Sequence, residues 1–102
     1  MEVKYETKKS GVYVYLYGEL DDHSSKKARV EIDYIIDKNV NARSFVFTMR
    51  ELSFMDSTGI GMLIGRYKKL KNLKIPAYIE NPSFCVDKVF LTSGIYSLIP
   101  KL

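Results

Sequence analysis

The sequence has 102 residues, of which 46% are hydrophobic and 27% are charged, and its formal net charge is +4. This length and composition predict one folded domain with an ordinary hydrophobic core and exclude a disordered chain. No apolar stretch approaches the roughly 18 to 20 residues that span a bilayer, and no basic-then-apolar leader begins the chain, so we expect a cytoplasmic protein without a membrane partner.

The single cysteine and the modest basic charge narrow the function classes further. Cys85 has no second cysteine for a disulfide or at metal-ligand spacing, so we expect a small core residue, no metal and no cofactor. The basic run at residues 66–74 has the helical spacing of a solvated amphipathic face. We therefore expect no direct binding of nucleic acid.

Alternating residues predict a strand over positions 12–20. One side of this strand is aliphatic and the other aromatic, with Val12, Val14 and Leu16 against Tyr13, Tyr15 and Tyr17. The period of two in strand-favouring residues indicates that the aliphatic side is buried. The tyrosine side is either covered as well or partly wet, with its hydroxyls in water.

A helix is predicted next, capped by Ser24 or Ser25 and ending near Asn39. Its apolar residues recur at three- and four-residue spacing, namely Ala28, Ile32, Ile35 and Ile36. The aromatic and β-branched run at 44–49 follows and is typical of a central strand buried on both faces.

A second helix follows residues 56–58, with an apolar inward stripe and a basic side that points elsewhere. The inward residues are Ile60, Leu63, Ile64, Tyr67 and Leu70, and the basic ones are Arg66, Lys68, Lys69 and Lys71.

After a short strand at 77–79, Asn81 caps a third helix with Pro82 at its first position, ending near Gly94. The predicted inward residues of this helix are Phe84, Val86, Val89 and Phe90. A last short strand is predicted at 96–99.

The order of strand, strand, helix, strand, helix, strand, helix, strand predicts an α/β fold. We expect a mixed, mostly parallel sheet of about five strands with helices packed against it. In such folds, ligand and partner sites favour the carboxyl ends of the strands and the starts of the following helices. Two segments are predicted to lie at this edge, residues 18–23 and residues 53–61.

Asp56, Ser57 and Thr58 lie where a loop becomes a helix, so one of them is expected to cap it. The simplest interpretation is a cap followed by two glycines. Gly59 and Gly61 each reduce helix stability by roughly 1 kcal/mol relative to alanine. A close approach of another backbone or of a partner, which only glycine permits, would compensate for this cost. A phosphate on a hydroxyl here would be tolerated by the helix start but would repel a partner fitted to the neutral group.

Three catalytic or nucleotide motifs are set aside. In GIGMLIG, Ile64 stands where the third glycine of the dinucleotide fingerprint belongs. DSTG has one residue too many for an aspartic protease motif, and that chemistry needs two carboxylates sharing a proton. Ser57 lacks the nucleophile elbow of a hydrolase, and the only histidine, His23, is expected to be a loop residue.

The segments GELDDHSS and LSFMDSTGIGMLIGRYKKLK resemble the two signature segments of the STAS domain, which anti-sigma factor antagonists share with the cytoplasmic tails of sulfate transporters. MDSTG followed by GRYK is most similar to the sporulation-type antagonists. The resemblance implies that Ser57 is phosphorylated by a partner that is both anti-sigma factor and serine kinase. It also implies partner contacts at Asp21, Asp56, Ser57, Thr58, Gly59, Gly61 and Arg66.

The resemblance implies that the unphosphorylated form binds the kinase and frees a sigma factor, and that a phosphatase resets the phosphorylated form. The protein would then be a kinase substrate and not an enzyme. The chain departs from the family pattern at NLKIP, where a glycine-rich turn is usual, and it stops at Leu102. We therefore expect a single STAS-like domain over residues 1–102 without the family's C-terminal helix. The alternative function is a STAS module that binds nucleotide or acts as a scaffold in a larger assembly.

Overall fold

The computed structural model, which describes residues 1–102, begins with an antiparallel pair of strands. Strand β1 spans Glu2–Lys8 and strand β2 spans Gly11–Leu20. Every residue of β1 pairs with β2, from Glu2 opposite Tyr17 to Lys8 opposite Gly11. The hairpin places β1 at the outer edge of a five-stranded sheet.

Three further strands and three helices complete the fold. In chain order these are α1 (Ser25–Lys38), β3 (Phe45–Thr48), β4 (Leu52–Met55), α2 (Ser57–Asn72), β5 (Ala77–Glu80) and α3 (Phe84–Ser93). The strand order is β1-β2-β3-β5, and β4 pairs with the far end of β2. All pairs except β1 with β2 are parallel, which confirms the predicted mixed, mostly parallel sheet. The structure contains no helix with the length and hydrophobicity of a membrane span.

A single apolar cluster joins one side of the sheet to all three helices. The aliphatic side of β2 belongs to this core, together with Phe45 and Phe47 of β3 and the buried residues of each helix. The tyrosines of β2 lie on the opposite side and are only partly buried, which confirms the partly wet alternative. Val46 is buried outside the main core, in register with Tyr13 and Tyr78.

Strand β4 is not predicted from the sequence, and residues 53–55 of this strand fall in the segment expected at the sheet edge before α2. Their burial does not alternate: Leu52 and Met55 are buried, whereas Ser53 and Phe54 between them are exposed. The register of β4 with β2 is also irregular between Gly18 and Glu19. A four-residue strand with an irregular register and no period of two has no clear sequence pattern.

The predicted strand at 96–99 is wrong. Gly94 adopts a left-handed conformation with φ of 77°, and a 3-10 turn follows at Ile95–Ser97. The N–H of Leu98 donates to the carbonyl of Ile95 at 2.9 Å, so this backbone is paired locally. Only an isolated bridge between Ile79 and Lys101 connects the C-terminal segment to the edge strand β5.

The predicted start and inward face of α3 are also partly wrong. Ser83, not Asn81, caps the helix by accepting a hydrogen bond from the N–H of Val86 at 3.3 Å. Phe84 is 77% exposed, and Cys85 is exposed and therefore not a core residue. Since successive helical residues are 100° apart, Phe84 and Val86 cannot face the same side. The predicted inward residues Val86 and Phe90 are fully buried, and Val89 is partly buried against them.

Candidate functional site

Strands β2 and β4 bring the two predicted functional segments together. Leu20 pairs with Met55 in the parallel ladder, so the residues that follow them, Asp21 and Asp56, leave the sheet side by side. The N–H of Asp56 donates to the carbonyl of Leu20 at 3.3 Å. Segments 18–23 and 53–61 therefore share one edge of the sheet.

Asp56 is the N-cap of α2. Its backbone is extended, with φ of −119°, and its carboxylate accepts a hydrogen bond from the N–H of Gly59 at 3.1 Å. The N–H groups of Ser57 and Thr58 have no partner in the protein. The start of α2 thus carries two unpaired donors beside a carboxylate, as the first turn of a helix commonly does.

Ser57 is the first residue of α2 and is exposed. Its hydroxyl forms no hydrogen bond within the protein. It opens onto a groove of about 390 Å³ between α2 and α3, lined by Ser57, Ile60, Lys88, Val89, Thr92 and Ser93. The candidate acceptor is therefore accessible to a protein kinase.

Thr58 opens onto a different groove. This second depression, of about 500 Å³, lies between α1 and α2 and is lined by Lys26, Arg29, Gly61 and Arg66 among others. Adjacent hydroxyls of the DST segment therefore face separate surfaces. This separation gives a partner two different environments on either side of the α2 start.

Gly59 and Gly61 differ in what surrounds them. A Cβ atom at Gly59 would lie 2.8 Å from the carbonyl oxygen of Leu20, so a second backbone approaches this residue closely. A Cβ atom at Gly61 would meet nothing within 4 Å, and this residue is exposed. The fold accounts for the glycine at 59 but not for the glycine at 61.

Asp21 organises the loop between β2 and α1. Its carboxylate accepts hydrogen bonds at 3.0 Å from the N–H groups of His23 and Ser24, and the Ser24 hydroxyl donates to it at 3.1 Å. These bonds, above all the one from the Ser24 backbone, hold the pKa of Asp21 below its usual range. His23 lies in this turn with its side chain exposed, as predicted.

Arg66 was predicted to point away with the lysines, but it joins two helices. Its Nε lies 2.8 Å from Oδ1 of Asp33 on α1, and one of its terminal N–H groups donates to the carbonyl of Met62 at 3.3 Å. The side chain is 12% exposed, and burial lowers the pKa of the guanidinium, an effect that Asp33 opposes. Lys69 also pairs with α1, through Asp37 at 2.8 Å.

Sequence reasoning missed the α3 residues that share the groove with Ser57. Lys88 and Val89 lie far from Ser57 along the chain and reach it only because α3 packs against β4. Val89 was identified as an inward residue but not as part of a site. No local pattern around Lys88 distinguishes it from other surface lysines.

Comparison with protein families matches residues 2–102 to the STAS domain. Among curated proteins, the chain is 34% identical over 84 residues to the anti-sigma F factor antagonist of Lysinibacillus sphaericus. That alignment covers 82% of this chain and 71% of the relative. Both comparisons agree with the resemblance carried by the GELDDHSS and MDSTG segments.

Two solved structures have the same fold along nearly the whole chain. The anti-sigma factor antagonist SpoIIAA in its unphosphorylated form is 30% identical with a TM-score of 0.78, and the match covers 99% of this chain and 88% of the other. The Bacillus cell fate determinant SpoIIAA in the phosphorylated form is 29% identical with a TM-score of 0.71, covering 99% and 91%.

Proposed function

Because this chain belongs to the STAS domain family, and within it to the anti-sigma factor antagonists, we propose that it binds an anti-sigma factor that is also a serine kinase. In this proposal, binding of the unphosphorylated form frees a sigma factor. Phosphorylation of Ser57 ends the binding, and a phosphatase restores the first state. The protein acts as the substrate of the kinase and performs no catalysis.

The exposed Ser57 hydroxyl at the start of α2 carries this proposal. It has no hydrogen-bond partner to give up, and the groove beside it leaves room for an entering nucleotide phosphate. In the transfer, Oγ of Ser57 forms a bond to the γ-phosphorus of ATP. The bond from that phosphorus to ADP breaks, and the hydroxyl proton leaves to a base of the kinase.

The phosphate can act on binding without unfolding the domain. It would add about −1.5 to −2 charge at pH 7 beside the carboxylate of Asp56. The unpaired N–H groups of Ser57 and Thr58 and the positive end of the α2 dipole favour an anion at this point. A partner surface fitted to a neutral hydroxyl would instead meet repulsion and a desolvation cost.

The partner surface would extend from Ser57 over its neighbours at the sheet edge. Asp21 and Asp56 place acidic groups on either side of the strand ends, and the bare backbone at Gly61 permits close approach. Thr58 and Arg66 line the adjoining groove between α1 and α2. Gly59 contributes by fixing the position of α2 against Leu20.

Incubation with the anti-sigma factor kinase of the same organism and Mg-ATP tests this function. We expect one phosphate per chain, located on Ser57 by tandem mass spectrometry. The Thr58→Ala variant serves as the matched control, because it removes the adjacent hydroxyl and leaves Ser57 in place. Modification that persists in Ser57→Ala, or that disappears only in Thr58→Ala, would refute the assignment.

A further inference from the structure

The groove beside Ser57 has one cationic side chain. Its walls are apolar at Ile60 of α2 and Val89 of α3, and Ser57 and Lys88 stand on the two helices that form it. The basic residues Lys26 and Arg29 line the other groove, beside Thr58. A charge added to Ser57 would therefore face Lys88 from the α3 side.

On the α3 side of the groove, Lys88 is the polar side chain that is free to bind an anion. The Thr92 hydroxyl donates to the carbonyl of Lys88 at 2.9 Å, and the Ser93 hydroxyl donates to the carbonyl of Phe90 at 3.0 Å, so both hydroxyl protons are used. The Lys88 ammonium has no salt bridge. It lies 5.3 Å from the centre of the exposed Phe84 ring.

We propose that Lys88 is the intramolecular acceptor of the phosphate on Ser57: its ammonium leaves the Phe84 ring and crosses the groove to pair with the phosphoryl oxygens. A charge-assisted bond to a phosphate is stronger than a cation–π contact at an exposed ring, which favours this exchange of partners. This inference rests on the proposed function only in taking Ser57 as the modified residue.

The pairing has a consequence for the docking surface. With the lysine stem lying across the groove, the apolar side chains of Ile60 and Val89 would be covered. A partner would then lose an apolar contact area in addition to meeting the phosphate charge. Phosphorylation would therefore add charge to the docking surface and also cover its apolar groove. Neither change requires the backbone of α2 or α3 to move.

The carboxylates that precede Ser57 and Lys88 in the chain are already engaged in other contacts. Asp56 is negative and caps α2 through Gly59. Asp87, which precedes Lys88, already accepts hydrogen bonds from Tyr96 at 2.5 Å and from Lys101 at 3.1 Å. The negative charge of Asp56 raises the pKa of a phosphate on Ser57, whereas the positive N-terminal end of α2 and the Lys88 ammonium lower it. Removing Lys88 should therefore raise the pKa of the phosphate.

The test uses phosphoserine incorporated at position 57 during translation, with the phosphate titrated by ³¹P NMR. We expect the second pKa of the phosphate to be higher by about half a pH unit or more in Lys88→Met than in the unsubstituted chain, since a contacting cation favours the dianion. Lys88→Arg should restore the lower value. Lys68→Met is the matched control, because Lys68 is exposed on α2 and lines neither groove.

A second readout follows the lysine itself. The Lys88 ammonium and Phe84 ring resonances should both shift when position 57 carries phosphoserine instead of serine. A phosphate that titrates identically in Lys88→Met, Lys68→Met and the unsubstituted chain would overturn the inference. Because the phosphate is installed without a kinase, this result is independent of whether the anti-sigma factor kinase modifies Ser57.

Discussion

Gly59 lies so close to Leu20 that a Cβ atom added to it would be 2.8 Å from the Leu20 carbonyl oxygen. This contact joins the start of α2 to the end of β2 and so sets the distance between Ser57 and the Asp21 loop. The same carbonyl accepts the hydrogen bond from the N–H of Asp56. The geometry of the site thus depends on a residue that cannot carry a side chain without a shift of the helix.

Replacing Gly59 by alanine should destabilise the protein by about 1 to 3 kcal/mol, the usual cost of forcing extra atoms into a packed site. Gly61→Ala is the matched control. It has open space and gains helix propensity, so we expect it to stabilise the fold by up to about 1 kcal/mol. Urea unfolding followed by circular dichroism measures both. Equal effects of the two substitutions would contradict the contact.

The same pair separates folding from binding. If the bare surface at Gly61 receives the partner, Gly61→Ala should weaken the complex with the anti-sigma factor kinase while leaving the domain more stable. Calorimetric titration at equal protein concentrations provides the affinity. An unchanged affinity would remove Gly61 from the proposed interface.

Substitutions of Ser57 should change binding and leave the fold intact. Ser57→Asp places a carboxylate at the positive end of the α2 dipole, where it is tolerated, but it introduces charge at the proposed docking surface. We expect it to bind the kinase at least about tenfold more weakly than Ser57→Ala, by the repulsion and desolvation that accompany an interfacial charge. Unchanged circular dichroism and melting temperature are required for both variants. Loss of structure in Ser57→Asp would disprove a local switch.

Arg66 and Asp33 should be energetically coupled. Their atoms are 2.8 Å apart and both side chains are largely withdrawn from solvent, at 12% and 31% exposure. Removing either partner leaves a poorly solvated charge, so Arg66→Ala is expected to cost roughly 2 kcal/mol and the double-mutant cycle to give a coupling of about 1 kcal/mol or more. Lys68→Ala should cost little because its side chain is exposed. Additive effects at Arg66 and Asp33 would show that the pair does not connect α1 and α2.

The free energy of unfolding should decrease at acid pH, in part because Asp21 becomes protonated. The pKa of Asp21 is lower in the folded protein than in the unfolded chain, so its stabilising contribution is present above about pH 4 and is lost as the pH falls through the folded value. In Asp21→Asn, unfolding free energy should therefore depend less steeply on pH below about pH 4. Urea midpoints measured between neutral and acid pH test this. An identical acid dependence in the variant would mean that other carboxylates account for the effect.

Periodic segments were predictable because their patterns are local. The alternation in β2, the apolar spacing in α1 and the DST segment at the start of α2 all appear at the expected places. Asp56, which directly precedes α2, is the residue that caps it. The resemblance to the STAS domain, carried by the same segments, is the basis for proposing Ser57 as the acceptor, because geometry alone leaves the choice open between Ser57 and Thr58.

The errors fall where distant parts of the chain decide the conformation. Strand β4 exists because β2 offers it a partner, and the C-terminal segment forms a 3-10 turn because its backbone pairs locally after Gly94. In α3, Phe84 lies two residues before the buried Val86 and therefore faces outward, which a run of apolar residues alone does not indicate. Arg66 lies among lysines in the sequence but contacts an aspartate from another helix.

Local chemistry places a hydroxyl at the start of a helix, because capping and helical periodicity act over a few neighbouring residues. What surrounds that hydroxyl is a matter of packing. Lys88 shares a groove with Ser57, and Gly59 abuts Leu20, because parallel strand pairing and a common core bring together segments that lie far apart in the chain. Those contacts arise from burial of apolar area in three dimensions, which a one-dimensional pattern does not record.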